Sequence, residues 1–220
     1  MNFSVIVTAG GSSSRYGKTN KLLEKLNGKE VILHSIEAFF PFNPQEIIVS
    51  ASESLEPVLK NLTKNMENIK IVRGGSTRQA SIFNALSSCG NPDIVAIHDA
   101  ARPLIKKQDI EKCIKKAVET KAAIVAVKAV DTIKRVDETG KIIETPDRNT
   151  LWAVQTPQIF DFNLIFDVHK KLHGQAFSDD AGMAEALGYD VFVVEGSYSN
   201  IKITTKKDLY LAQELLDEGL

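Results

Sequence analysis

Short, nearly continuous runs of aliphatic residues recur along the chain at FSVIVT (3–8), EIIVSA (46–51), IKIV (69–72), IVAIHD (94–99), AAIVAVKAV (122–130) and VFVVEG (191–196). Because they do not alternate with polar residues, they suit strands buried on both faces. Between them, EVILHSIEAFF, STRQASIFNALSSC and KKQDIEKCIKKAVET carry apolar residues at helical spacing. In the last of these Ile110, Cys113, Ile114, Ala117 and Val118 share one stripe. Strand and helix in alternation predict an α/β fold, a doubly wound, mostly parallel Rossmann-like sheet. Such sheets bind ligands at the carboxyl ends of their strands. The Gly/Ser segment after the first run, His98-Asp99 and Glu195-Gly196 all fall at that edge.

One segment breaks the rhythm. VDTIKRVDETGKIIETPDRNTLW (130–152) alternates apolar and polar residues around Glu138-Thr139-Gly140, a turn signal. It reads as a protruding β-hairpin arm over residues 131–152. An isolated hairpin is marginal in water and its open edges invite pairing, so the arm is expected to pack on a second copy of the chain as a homodimer. No internal repeat or low-complexity linker divides the sequence, and residues 1–220 read as one domain.

Composition narrows the partners. A net charge of -1 gives no global attraction to nucleic acid or to an anionic membrane, which leaves small molecules. No apolar run reaches the roughly 18 residues that span a bilayer, and the N-terminus lacks the signal-peptide pattern. Cys89 and Cys113 have no CxxC spacing and no ligand-spaced histidine. A cytoplasmic protein with reduced thiols is the expectation.

The segment AGGSSSRYGKTNKLL (9–23) suggests a phosphate cradle, but of which kind? A Walker loop needs four residues between its glycines, whereas Gly11 and Gly17 are separated by five. The Asn27-Gly28 turn that follows also leaves no room for the long helix that a Walker lysine begins. The dinucleotide fingerprint G-x-G-x-x-G is absent as well. IVAIHD still passes for a metal-binding Walker B strand, and a solvated surface loop is the plain alternative. The remaining reading is a glycine-rich loop whose Arg15, Lys18 and Lys21 wrap a triphosphate together with backbone N–H groups.

Seven segments decide between these. AGGSSSRYGKTNKLL, VRGGSTRQASIFNAL, IHDAARPLI, VDTIKRV, DRNTLWAVQTPQIF, SDDAGMAEALG and VEGSYSNIKIT resemble, in order and spacing, the 2-C-methyl-D-erythritol 4-phosphate cytidylyltransferase family. The resemblance runs from about Val5 to Leu216. It implies an enzyme that joins CTP to methylerythritol phosphate and releases pyrophosphate in non-mevalonate isoprenoid biosynthesis, with Mg²⁺ or a similar divalent cation. It also implies roles for individual residues. Arg15 and Lys21 match the transition-state stabilisers. Ala9, Gly10, Gly11, Gly75, Ser76, Arg78, Ser81 and Asp99 match the CTP site, Asp99 also facing the metal. Thr132, Arg148 and Lys202 match the substrate-phosphate site, with Arg102 and Thr156 at the same edge. His98 reads as structural.

Two positions depart from the family pattern: Lys21 stands in Asn-Lys-Leu where relatives often have Pro-Lys-Gln, and Ser76 stands where they often have Asp. Ser76 reads equally well as a helix N-cap. Ribitol-5-phosphate cytidylyltransferases share the first loop and the NIKITT-like segment, but HDAARP and DRNTLWAVQTPQ are closer to the methylerythritol enzymes. A catalytically inactive nucleotide-binding scaffold is opposed by the presence of Arg15, Lys21, Asp99, Arg148 and Lys202 together.

Overall fold

A computed structural model of the chain describes residues 1–10, 16 and 19–219. The strands are β1 (Phe3–Ala9), β2 (Lys25–Leu26), β3 (Lys29–Glu30), β4 (Glu46–Ala51), β5 (Ile69–Arg73), β6 (Ile94–Asp99), β7 (Ala122–Lys128), β8 (Arg135–Val136), β9 (Ile142–Glu144), β10 (Trp152–Asp161) and β11 (Phe192–Glu195). The helices are α1 (Val31–Glu37), α2 (Glu56–Leu62), α3 (Arg78–Leu86), α4 (Lys107–Thr120), α5 (Phe162–Lys171), α6 (Asp180–Ala186) and α7 (Lys206–Asp217). Seven strands form the main sheet in the order β11-β7-β10-β6-β1-β4-β5. Every apolar run picked out in the sequence is one of them.

Alternate side chains of the central strands supply two cores, while the edge strands β5 and β11 are only partly covered, not buried on both faces as their aliphatic runs suggest. Val5 and Val7 face a layer containing Ile32, Ile36, Leu59, Ile110 and Cys113 from α1, α2 and α4. Ile6 faces the opposite layer, with Ile82, Leu86, Ile165 and Met183 from α3, α5 and α6. The sheet is therefore wound on both sides. On α4 the predicted stripe holds for Ile110, Cys113 and Ala117, but Val118 is exposed. It lies about 100° round the helix from Ala117, far enough to leave the buried face.

β10 is the element missing from the sequence reading. It runs antiparallel to both β6 and β7, whereas the other four strand contacts of the main sheet are parallel. Polar Gln155, Thr156 and Gln158 and the N–H-less Pro157 hide it as a strand. The structure accommodates them by a register shift between Val154 and Gln158 in the pairing with β7. All three polar side chains are buried, and the Thr156–Pro157 peptide is cis.

β7 and β10 form one long antiparallel pair in which Trp152 sits opposite Lys128. The connection between them is the arm. Within it β8 and β9 pair antiparallel, and residues 131–145 and 147–150 are all exposed.

From β1 the chain moves to β4 and β5 on one side, then crosses to β6 on the other side of β1. Strand order therefore reverses between β1 and β6. The carboxyl ends of that pair form the crevice in which open α/β sheets bind their ligands.

Candidate active site

A cavity opens at this switch point, lined by Thr8, Gly10, Lys21, Gly75, Ser76, Arg78, Ser81, Asp99 and Lys202 among others. A second cavity continues from it past Arg78, Asp99 and Lys202 to Arg102, Gln155, Thr156, Gln158 and Asp179. Most sequence-predicted residues thus meet at one place, and Ala9 is the buried last residue of β1 beside them. Gly11 and Arg15 lie outside the described residues. Thr132 and Arg148 line neither cavity; both belong to the exposed arm, where Arg148 Nη1 donates to the Val130 carbonyl at 2.8 Å.

Lys21 begins a single turn of 3₁₀ helix, Lys21–Leu23. The Asn20 side chain caps that turn by accepting from the Leu22 N–H at 3.0 Å, and Leu22 is buried in the core. The Asn-Lys-Leu departure from the family pattern therefore provides its own anchor for the lysine.

The Gly74-Gly75-Ser76-Thr77 turn is held by Ser81. Its Oγ accepts from the Gly75 N–H at 3.0 Å and donates to the Thr77 carbonyl at 2.8 Å. A β-carbon at Gly75 would come within 2.4 Å of the Ala80 β-carbon, so close packing is what requires glycine there. Thr77 caps α3 by accepting from the Ala80 N–H at 3.0 Å, which overturns the N-cap reading of Ser76. Ser76 is instead an exposed hydroxyl on the cavity wall.

Asp99 is the electrostatic centre. Lys202 Nζ lies 2.7 Å and Arg102 Nε 3.8 Å from its Oδ2, and Arg78 Nε lies 4.0 Å from its Oδ1. Thr8 Oγ1 donates to Oδ1 at 3.2 Å, across the β1–β6 switch point. Burial alone would raise the carboxyl pKa, but Lys202, Arg78 and Arg102 outweigh it and bring it down to about 2. The site holds three cations around one permanent carboxylate.

His98 lies directly beneath, fully buried. Its Nε2 faces the Arg102 carbonyl at 3.1 Å, which can only accept, so Nε2 carries the proton. Nδ1 is then the acceptor for the Thr156 hydroxyl at 3.0 Å, and that hydroxyl accepts the Asp99 N–H at 3.0 Å. Burial is the main reason its pKa falls to about 4 from the ordinary 6.5, so the ring is neutral at physiological pH. A histidine pKa lowered by folding gives stability that is complete above the unfolded value and lost as pH falls through the folded one. The melting temperature is expected to fall on acidification from about pH 6.5 to pH 4, and the fall should be shallower in His98→Asn. Calorimetric melts across that range check this.

Several supporting residues carried no separate sequence signal. Asp180, fully buried, accepts from Arg78 Nη2 at 2.7 Å and lies 2.9 Å from His169 Nε2, fixing the guanidinium from behind. Asp179 accepts from Gln158 Nε2 at 2.8 Å. Both aspartates lie in SDDAGM, whose block of acid and small residues reads as an ordinary helix start. Asn200 donates through Nδ2 to Gln155 Oε1 at 2.9 Å and to the Thr156 carbonyl at 3.0 Å. It pins the loop after β11 so that Lys202, two residues on, reaches Asp99.

Comparison with known proteins gives the family. The family model for 2-C-methyl-D-erythritol 4-phosphate cytidylyltransferase matches residues 3–218. The chain belongs to this cytidylyltransferase family. A family member from Clostridioides difficile is 44% identical over 98% of this chain and 94% of its own length. Another, from Caldanaerobacter subterraneus, is 42% identical over 98% and 99%. The crystal structure of 4-diphosphocytidyl-2C-methyl-D-erythritol synthase from Anaerococcus prevotii superimposes with a TM-score of 0.88 at 30% identity, covering 98% of this chain and 96% of that one. The cytidylyltransferase structure from Thermus thermophilus gives 0.82 at 29% identity, covering 98% of each chain. Such cytidylyltransferases transfer a nucleotidyl group, and the cationic crevice found here has the charge that this chemistry needs.

Proposed function

We propose that the chain converts CTP and 2-C-methyl-D-erythritol 4-phosphate into the CDP-linked alcohol and pyrophosphate, in non-mevalonate isoprenoid biosynthesis. The observation that carries this reading is Lys21, Arg78 and Lys202 converging with Asp99 at the β1–β6 switch point. A phosphate oxygen of the alcohol substrate attacks the α-phosphorus. The bond from that phosphorus to the bridging oxygen breaks, and pyrophosphate leaves with the electron pair. The nucleophile is already ionised at neutral pH, so orientation and positive charge are the protein's task rather than proton abstraction.

In this reading Lys21, with Arg15, stabilises charge on the transferring phosphoryl group. The backbone from Ala9 to Gly11 and the Gly75–Ser76 turn receive the nucleotide, supported by Arg78 and Ser81. Lys202 and Arg102 face the second substrate's phosphate, Thr156 supports them from beneath through its bonds to His98 Nδ1 and the Asp99 N–H, and Thr132 and Arg148 come from the arm. The arm, residues 131–152, serves as the dimerisation element of a single-domain chain. Its Ile133, Val136, Ile142 and Ile143 are exposed, apolar area that a second copy would cover.

Among the described residues there is no cluster of three or more His, Cys, Asp or Glu that would enclose a metal ion. Asp99 nevertheless fits Mg²⁺, which is commonly held by one or two carboxylates together with substrate phosphate oxygens. A carboxylate has about four lone-pair sites, so Lys202 and Thr8 do not exhaust it. When bound, the ion would add positive charge between the phosphates. No helix among the described residues is long and apolar enough to cross a membrane, and a cytoplasmic location is the reading we adopt.

The test is pyrophosphate release from CTP by the purified chain, with methylerythritol phosphate and ribitol 5-phosphate supplied separately. Release that depends on methylerythritol phosphate is expected. Turnover with ribitol 5-phosphate alone would reassign the substrate, and no turnover with either would reject the reading.

A further inference from the structure

Beneath the cavity, four hydrogen bonds close a ring and a fifth ties Asp99 to it. The Asp99 N–H donates to Thr156 Oγ1 at 3.0 Å, and that hydroxyl donates to His98 Nδ1 at 3.0 Å. His98 Nε2 donates to the Arg102 carbonyl at 3.1 Å, and Arg102 Nη1 donates to the Asn200 carbonyl at 2.7 Å. Asn200 Nδ2 returns the ring to Thr156 by donating to its carbonyl at 3.0 Å. The ring ties together the end of β6, the turn after it, the irregular stretch of β10 and the loop carrying Lys202. His98 and Asn200 are fully buried and Thr156 nearly so, so the bonds among these three are shielded from bulk solvent, and only the Arg102 end of the ring is partly exposed.

We propose that His98 is a positioning residue for nucleotidyl transfer. It never touches substrate, but its single tautomer fixes the direction of the Thr156 hydroxyl and hence the placement of Asp99 relative to Arg102 and Lys202. The proposal rests on the cytidylyltransferase reading above. Its rival is that His98 only fills the core, where its ring packs edge-on against Phe39 with centroids 5.2 Å apart. Apolar filling asks for shape alone. The ring asks for an acceptor at Nδ1 and a donor at Nε2, and His98 supplies both.

The experiment is steady-state pyrophosphate release by wild type, His98→Leu, His98→Asn, Thr156→Val and the His98→Leu/Thr156→Val double variant, with melts to confirm folding. Misplacing catalytic groups by about 1 Å can cost on the order of 10²-fold, so kcat of His98→Leu is expected to fall ~10–10²-fold, with KM for CTP moving less. His98→Asn, whose Oδ1 takes the place of Nδ1, should recover part of that loss. If both residues act through one ring, the double variant will lie within about twofold of the worse single variant instead of showing the product of the two losses. If His98→Leu does not fold, the cycle is run with His98→Gln. Wild-type kcat in a folded His98 variant, multiplicative losses, or an Asn variant no better than Leu would overturn the proposal while leaving the assigned activity intact. An inactive wild type would overturn both.

Discussion

Lys21→Ala is expected to lower kcat by ~10²–10³-fold while leaving the fold intact, because one preorganised charge aimed at a developing oxyanion is worth about that much. The two halves of this expectation come from different parts of the same short segment. The stability of the 3₁₀ turn comes from the Asn20 cap and from buried Leu22, neither of which the substitution touches. Lys21 lines the cavity and adds charge where the triphosphate is expected to lie. With an ionised nucleophile there is no proton transfer for another residue to take over, so little compensation is available. KM for CTP should rise less than kcat falls, since ground-state phosphate charge on CTP is also met by Arg78. Single-turnover pyrophosphate release separates the chemical step from binding. A variant with near-normal kcat would remove Lys21 from the reaction and shift the role to the cations beyond it.

What the sequence reveals and conceals follows from how each element is stabilised. Four of the six strands found from apolar runs, β1, β4, β6 and β7, are buried between two helical layers, and their composition reports that environment directly. The edge strands β5 and β11 are not buried on both faces, so there the aliphatic run marks a strand but overstates its burial. β10 is equally buried, but its central residues face a hydrogen-bonded polar network rather than an apolar core. Gln155, Thr156 and Gln158 are satisfied there by Asn200, His98 and Asp179, and periodicity has no way of registering partners that lie elsewhere in the chain. The site divides in the same way. Gly10, Gly75, Asp99 and Lys202 stand in local motifs whose spacing carries the family resemblance. Asp180 and His169 act from behind through Arg78, and a buried acid at a helix start looks like any N-terminal turn residue until its cation is placed beside it. Ser76 shows the opposite error: its spacing satisfied the capping rule, but Thr77 at the next position took the cap.

The arm supplies the prediction that reaches beyond one chain. Thr132 and Arg148 match substrate-phosphate residues of the family, yet the structure puts them on an exposed hairpin and outside both cavities of their own chain. The simplest way to reconcile the two is delivery to a neighbouring chain's crevice through a two-fold, self-complementary contact between arms. Lys21 and Arg148 would then act in the same site while belonging to different copies. Mixing a Lys21→Ala chain with an Arg148→Ala chain produces heterodimers in which one site carries both defects and the other carries none. With random exchange half the dimers are mixed and half of their sites are intact, so about a quarter of wild-type activity is expected from two nearly inactive stocks. Each variant alone sets the baseline, and exchange is confirmed by isolating mixed dimers through tags of different size. Should isolated heterodimers stay as inactive as their parents, Arg148 and Lys21 serve a site within one chain, to which the arm must fold back. Recovery requires the site to be shared, because no arrangement confined to a single chain restores both residues to one crevice.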